Sequence, residues 1–219
     1  MKKKIIILIL IFSSFSFVKG QIIKSIGIKS GISLSNQSWD YSPYYQILSI
    51  KSSVGLYEVL TADFIIKKHW DLSADFGIYK SRGKSLNDEM HTHEVNYFTN
   101  KLSFLTFSPN IKLKTDFYHF TPYITIGPRI DYFIKELSEV NVSDKTVLKP
   151  LQFGFNTGIG INYLINKIAL IAEYQYLYNF TNIIDQAALI PVTEDNITQD
   201  VVKINNHIIS LGVKYYFKK

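Results

Sequence analysis

Phe120-Thr-Pro-Tyr-Ile-Thr-Ile-Gly-Pro-Arg-Ile-Asp-Tyr132 decides the fold. Phe120, Pro122, Ile124, Ile126, Pro128, Ile130 and Tyr132 alternate with Thr121, Tyr123, Thr125, Gly127, Arg129 and Asp131. Period two over such a length reads as a strand with one apolar face. The apolar face begins and ends on an aromatic ring, and the other face carries small polar residues with one cation and one anion.

The same pattern recurs on both sides. Ile26, Ile28, Ile32 and Leu34 alternate with Ser25, Gly27, Lys29, Gly31 and Ser33; Trp70, Leu72, Ala74, Phe76 and Ile78 alternate with Asp71, Ser73, Asp75, Gly77 and Tyr79. Downstream, Phe153, Phe155, Ile159, Ile161 and Tyr163 oppose Gln152, Gly154, Asn156, Gly158, Gly160 and Asn162. Ile168, Leu170, Ala172, Tyr174, Tyr176 and Tyr178 oppose Glu173, Gln175 and Asn179, with Ile171 and Leu177 out of phase. His207, Ile209, Leu211, Val213, Tyr215 and Phe217 complete the series.

Two further segments are mixed. Around residues 53–65, Leu56, Leu60 and Phe64 share a phase but Tyr57 and Val59 take the other. Around residues 101–113, Leu102 and Phe104 give way to Leu105, Phe107, Ile111 and Leu113, which predicts a β-bulge near Phe104-Leu105. Connections alternate as well. Short ones are expected at 66–69, 115–119 and 164–167, and long ones at 36–51, 82–100, 135–150 and 181–205. Short turns at one end and long loops at the other predict an all-β, eight-stranded antiparallel up-and-down transmembrane β-barrel.

Period two does not say which face is outside, since a soluble ligand-binding barrel turns its apolar face inward. The non-apolar face is rich in Gly, Ser, Thr and Asn, which suits the crowded interior of a small barrel better than a solvated exterior. Aromatics gather at the ends of the apolar face. Trp70, Phe120, Tyr163, Tyr215 and Phe217 fall at the short-turn end; Tyr132, Phe153, Tyr176, Tyr178 and Phe180 fall at the loop end. Two such rings read as the aromatic girdles of a barrel in a bilayer. The last amphipathic strand also ends at Phe217. The apolar face is therefore expected outside, and finding Ile26, Ile28 and Leu34 inside would overturn the assignment.

Upstream of the strands, Met1-Lys-Lys-Lys4 precedes an apolar run to Val18 and then Lys19-Gly20. This reads as a secretory signal peptide over residues 1–20, with residues 21–219 as one outer-membrane barrel domain. The formal net charge of +6 loses Lys2, Lys3, Lys4 and Lys19 on cleavage and falls to +2. With no basic stripe remaining, a nucleic-acid partner is not expected. The absence of cysteine excludes disulfides, thiolate metal sites and a cysteine nucleophile.

Ile26-Gly-Ile-Lys-Ser-Gly-Ile-Ser-Leu-Ser35, Thr121-Pro-Tyr-Ile-Thr-Ile-Gly-Pro128 and the closing Tyr215-Tyr-Phe217 resemble the small outer-membrane barrels of Bacteroidetes called the PorT-like porin family. The resemblance implies an outer-membrane barrel with extracellular loops and allows a secretion-system accessory. It brings no active-site motif.

With the apolar face outside, Lys29, Asp75, Arg129, Asp131, Glu173 and Lys214 point inward, three cations against three anions. They are expected to pair as a polar plug, because an unpaired charge there is costly. The alternatives are a small-solute channel along the lumen and a lipid-modifying enzyme at the rim. For the latter, Ser81, Ser85, Asp88, His91 and His93 are available without a spacing that makes a nucleophile–base pair. His91-Thr-His93-Glu94 is a thin zinc motif and reads as a solvated loop. Gly158-Ile-Gly160 lies within a strand, with no helix to receive a phosphate, and serves close packing. No enzyme activity, cofactor or metal is expected. The partners expected are the outer-membrane bilayer and an envelope protein meeting the long loops, where Trp39, Tyr41, Tyr44 and Tyr45, and Ile183, Ile184, Leu189, Ile190 and Val192, cap the mouth or meet that partner.

Overall fold

The computed structural model describes residues 23–40, 50–88, 95–138, 149–181 and 201–217. Eight strands follow one another: β1 (Ser25–Asp40), β2 (Ile50–Lys67), β3 (Trp70–Asp88), β4 (Val95–Lys114), β5 (Phe120–Ser138), β6 (Leu151–Ile165), β7 (Ile168–Asn179) and β8 (Val201–Tyr216). Each pairs antiparallel with its neighbour in sequence, and β8 closes on β1 to form a barrel without a free edge. Closure satisfies every strand's ladder, the condition for a sheet to cross a bilayer.

The apolar face is outside. Ile26 and Ile28 are exposed, Ile28 at 57%, and Leu34 is half-exposed, whereas Ser25, Lys29 and Ser33 between them are buried. Ile124, Ile126 and Ile130 on β5 point out in the same way while Thr125, Arg129 and Asp131 point in. A soluble barrel would show the reverse.

Short connections lie at one end. Lys68-His69 joins β2 to β3, and Asn166-Lys167 joins β6 to β7 with Asn166 at φ 57°. A left-handed residue matches the twist of a tight hairpin, and Asn tolerates it. The β4–β5 turn closes through paired backbone bonds between Phe117 and Phe120, with Tyr118 also at φ 57°.

The strands run further than the alternation predicts. β1 continues to Asp40, β3 to Asp88, and β4 begins at Val95, inside stretches expected as loops. Asn36 to Asp40 remain in register with Asn205 to Val201. Beyond the bilayer a strand loses the requirement for an apolar face but keeps its ladder, so periodicity fades before pairing ends.

The expected bulge is displaced. β4 pairs with β3 without interruption from Trp70↔Leu113 to Asp88↔Val95, so β4 keeps one phase throughout. The irregularity lies between Ser103 and Phe104 against β5, where Ser103 pairs with Lys135 and Phe104 with Phe133; Ile134 on β5 is the extra residue. Leu102 and Phe104 are apolar and face inward, which is what imitated a slip in the sequence. Two further bulges interrupt β2 against β3, between Ser53 and Tyr57 and between Asp63 and Ile66.

Candidate functional site in the barrel lumen

The inward residues form two storeys. In the half nearest the short turns, Lys29 Nζ lies 2.8 Å from Asp75 Oδ2 and 2.6 Å from Glu173 Oε1, joining β1, β3 and β7 across the interior. Tyr123 donates its hydroxyl to the other Glu173 oxygen at 2.5 Å. Its ring lies over Gly160, where a Cβ would collide with it. The close packing expected of the lumen-facing glycines is thus seen at this position.

Nearer the turns, Asp63 accepts from Lys214 at 2.7 Å, from Lys112 at 3.1 Å and from Ser25 at 2.7 Å. Lys114 pairs with Asp71 at 2.7 Å at the mouth. Beside them Lys24, just outside β1, is held below the usual lysine range by partial burial and by the neighbouring Lys114 charge.

In the loop-side half, Arg129 Nε bonds Asp131 Oδ2 at 2.8 Å, and the Tyr79 hydroxyl donates to the same oxygen at 2.8 Å. Arg129 also donates to Asn179 Oδ1. Around this group sits an apolar cluster of Tyr57, Val59, Tyr79, Leu102, Phe104, Leu177, Ile204 and Ile208, with Phe133 packed against it. Tyr79 and Phe104 stack with ring centroids 5.1 Å apart.

All six charges expected inside are buried there: Lys29, Asp75, Arg129, Asp131, Glu173 and Lys214. They do not form one network. Lys29, Asp75 and Glu173 pair together and Arg129 pairs with Asp131, while Lys214 pairs with Asp63, a residue the sequence reading passed over. Lys112, Lys114 and Asp71 were passed over too, although each alternates with an outward Leu or Trp in the printed sequence. The inward apolar cluster was the larger omission. Its signal was the pair of mixed segments, whose second phase is the upper lumen wall.

Of the aromatic positions, Trp70, Phe120, Tyr163, Tyr215 and Phe217 are exposed at the turn end. Tyr132 and Phe153 are exposed at the loop end, where Tyr176 and Tyr178 are half-exposed. Phe120 packs on Tyr163 at 4.8 Å and Tyr178 on Phe180 at 5.4 Å. Twelve strand positions separate Phe120 from Tyr132, which at a barrel tilt of about 40° spans roughly 30 Å, the height of a hydrocarbon core. His207 lies on the same outer face, its Nδ1 2.6 Å from the Tyr174 hydroxyl and its ring 5.0 Å from that of Tyr176. A recess of about 1110 Å³ near the turn end is lined largely by outward side chains such as Leu113, Ile124, Ile161 and Leu211, so it belongs to the outer surface and not to the plugged interior.

Ser81 is fully buried inside the barrel. His91 and His93 lie outside the described residues, as do the loop positions Tyr41, Tyr44, Tyr45, Ile183, Ile184, Leu189, Ile190 and Val192 and the expected signal peptide. Ser85, Asp88 and Trp39 are placed on strands by their backbone alone. Among the described residues no group of three or more His, Asp or Glu side chains is arranged to hold a metal ion.

No curated protein matches the chain in sequence. Among solved structures, the outer membrane protein OprG from Pseudomonas aeruginosa is similar at a TM-score of 0.57 and 13% identity, covering 91% of this chain and 99% of that one. Neisserial surface protein A (NspA) is similar at 0.49 and 15%, covering 88% and 97%. The likeness to OprG shows the fold: a small closed barrel. The family profile described as "Outer membrane protein beta-barrel domain" matches residues 21–185, well over half of the chain. The chain belongs to the outer membrane protein β-barrel domain family, and its exposed apolar belt is the surface it turns to the outer-membrane lipid.

Proposed function

We propose that this protein is a non-enzymatic outer-membrane component with a closed lumen, working through its extracellular end as a structural or surface-interaction element of the envelope. The observation that carries this reading is the continuous filling of the interior. Paired charges occupy the turn-side half and an apolar cluster the loop-side half, and Lys29, Arg129, Tyr79 and Phe104 are each at most 1% exposed. An eight-stranded barrel leaves room for side chains and little else. The resemblance of its strand motifs to PorT-like barrels of Bacteroidetes supports a place beside envelope machinery, a secretion accessory included.

The test is electrical. Purified protein, folded into a planar bilayer, is expected to show no steady single-channel current. Large, stable steps that disappear when Phe104 is replaced by Trp would replace this reading with a solute channel.

A further inference from the structure

The outer surface of β3–β5 changes chemistry abruptly towards the loop end. Up to Ile78 on β3, Leu105 on β4 and Tyr132 on β5, which share one row of the sheet, the outward positions are apolar. Beyond that row the same face carries Lys80 and Arg82 on β3 and Lys101 on β4. The ladder sets Arg82 directly opposite Lys101, and Lys80 opposite Ser103. Like charges facing each other across neighbouring strands destabilise a sheet.

Nothing in the chain offsets that repulsion. Among the described residues Lys80, Arg82 and Lys101 take part in no ion pair, and Arg82 Nε is buried without an acceptor. Glu58, the outward carboxylate on neighbouring β2, lies opposite Ile78, deeper on the apolar side of the row. The register adds Lys84, next but one after Arg82, and Lys135, opposite Ser103, to the same region of the sheet.

The depth of the patch is set by Tyr132, a member of the loop-side aromatic ring. Lys80, Arg82 and Lys101 stand two to four positions beyond its row, within roughly 10–15 Å along the strands. That is the headgroup layer of the outer leaflet, where cations reach from the apolar edge to lipid phosphate. Because the patch wraps the outside of the barrel wall, a membrane lipid already lies against it.

We propose that Lys80, Arg82 and Lys101 form a binding site for the phosphate groups of a phosphorylated outer-leaflet lipid of the lipid A type. Arg82 supplies the planar donor pair that matches a phosphate, and the two lysines supply charge on either side. The proposal rests on the outer-membrane barrel reading and adds a ligand class to its rim.

The test uses the whole mature chain refolded in detergent and titrated with bis-phosphorylated lipid A or the same lipid stripped of phosphate, with bound lipid counted by native mass spectrometry. The wild-type protein should bind the phosphorylated lipid at least about tenfold more tightly. The triple variant K80Q/R82Q/K101Q should lose that preference, whereas Lys167→Gln at a turn on the opposite end should keep it. Equal binding of the two lipids, retention of the preference by the triple variant, or displacement of the lipid by low-millimolar inorganic phosphate would each overturn the site. A folded wild-type barrel without preference sinks this proposal alone. A chain that forms no heat-modifiable barrel sinks the membrane reading and the site with it.

Discussion

Lys29 is the residue on which the lower lumen turns. It is 1% exposed and bonds two carboxylates from strands on opposite walls. Replacing it by Met leaves Asp75 and Glu173 buried without their cation, a class of change that costs about 3–5 kcal/mol. Lys29→Met is therefore expected to lower the urea midpoint sharply in a refolding assay. Adding Asp75→Leu and Glu173→Leu should recover much of the loss, since a buried ionic group replaced whole by apolar side chains is often no less stable. Failure of the triple replacement to improve on the single one would mean that the carboxylates do more than pair with Lys29. The alternation in the sequence identified Lys29, Asp75 and Glu173 as inward, because each sits between outward apolar neighbours. It could not identify their partners: pairing depends on the stagger of three strands around the barrel, and local periodicity carries no record of stagger.

Among the elements, the tight turns give the cleanest contrast. Asn166 and Tyr118 both hold φ 57°, yet only Asn is suited to it. A side chain with a Cβ in the left-handed region costs roughly 1–2 kcal/mol, and Asn escapes part of that. Tyr118 is 99% exposed and its ring meets only His119, so little packing is lost on replacement. Tyr118→Asn should raise stability by about 1 kcal/mol in equilibrium unfolding, and Asn166→Tyr should lower it by a similar amount. If both changes prove neutral, the turns relax freely and the backbone angle carries no cost. The elements also mark where sequence reading succeeds and where it stops. Strand order, hairpin positions and the outward face were legible, since one apolar face in a bilayer imposes period two. The mixed patterns of β2 and β4 were not, because Tyr57, Val59, Leu102 and Phe104 are apolar for a different reason: they fill the loop-side lumen. A strand apolar on both faces has no phase to read, and the bulge inferred from it belongs to Ile134 on β5.

At the scale of the whole molecule, the outer belt distinguishes a barrel in lipid from one in water. Ile126 lies midway along β5 between Phe120 and Tyr132, paired with Ile111 and Thr157 and exposed at the centre of the belt. Were the surroundings aqueous, Ile126→Arg would bring a charge to an exposed surface site and change stability by no more than about 0.5 kcal/mol. In a bilayer the same change places a cation at the midplane and should cost about 2–4 kcal/mol, whereas Phe120→Arg, at the turn-side interface, should cost about 0–1 kcal/mol. The contrast depends on depth alone, because both positions face outward and neither belongs to the lumen network. Measured by unfolding from phospholipid vesicles, a clear excess at Ile126 fixes the bilayer around the belt, with its midplane near the centre of β5. Equal costs at the two sites would place the membrane elsewhere on the barrel, and would remove the depth argument that sets Lys80, Arg82 and Lys101 in the headgroup layer.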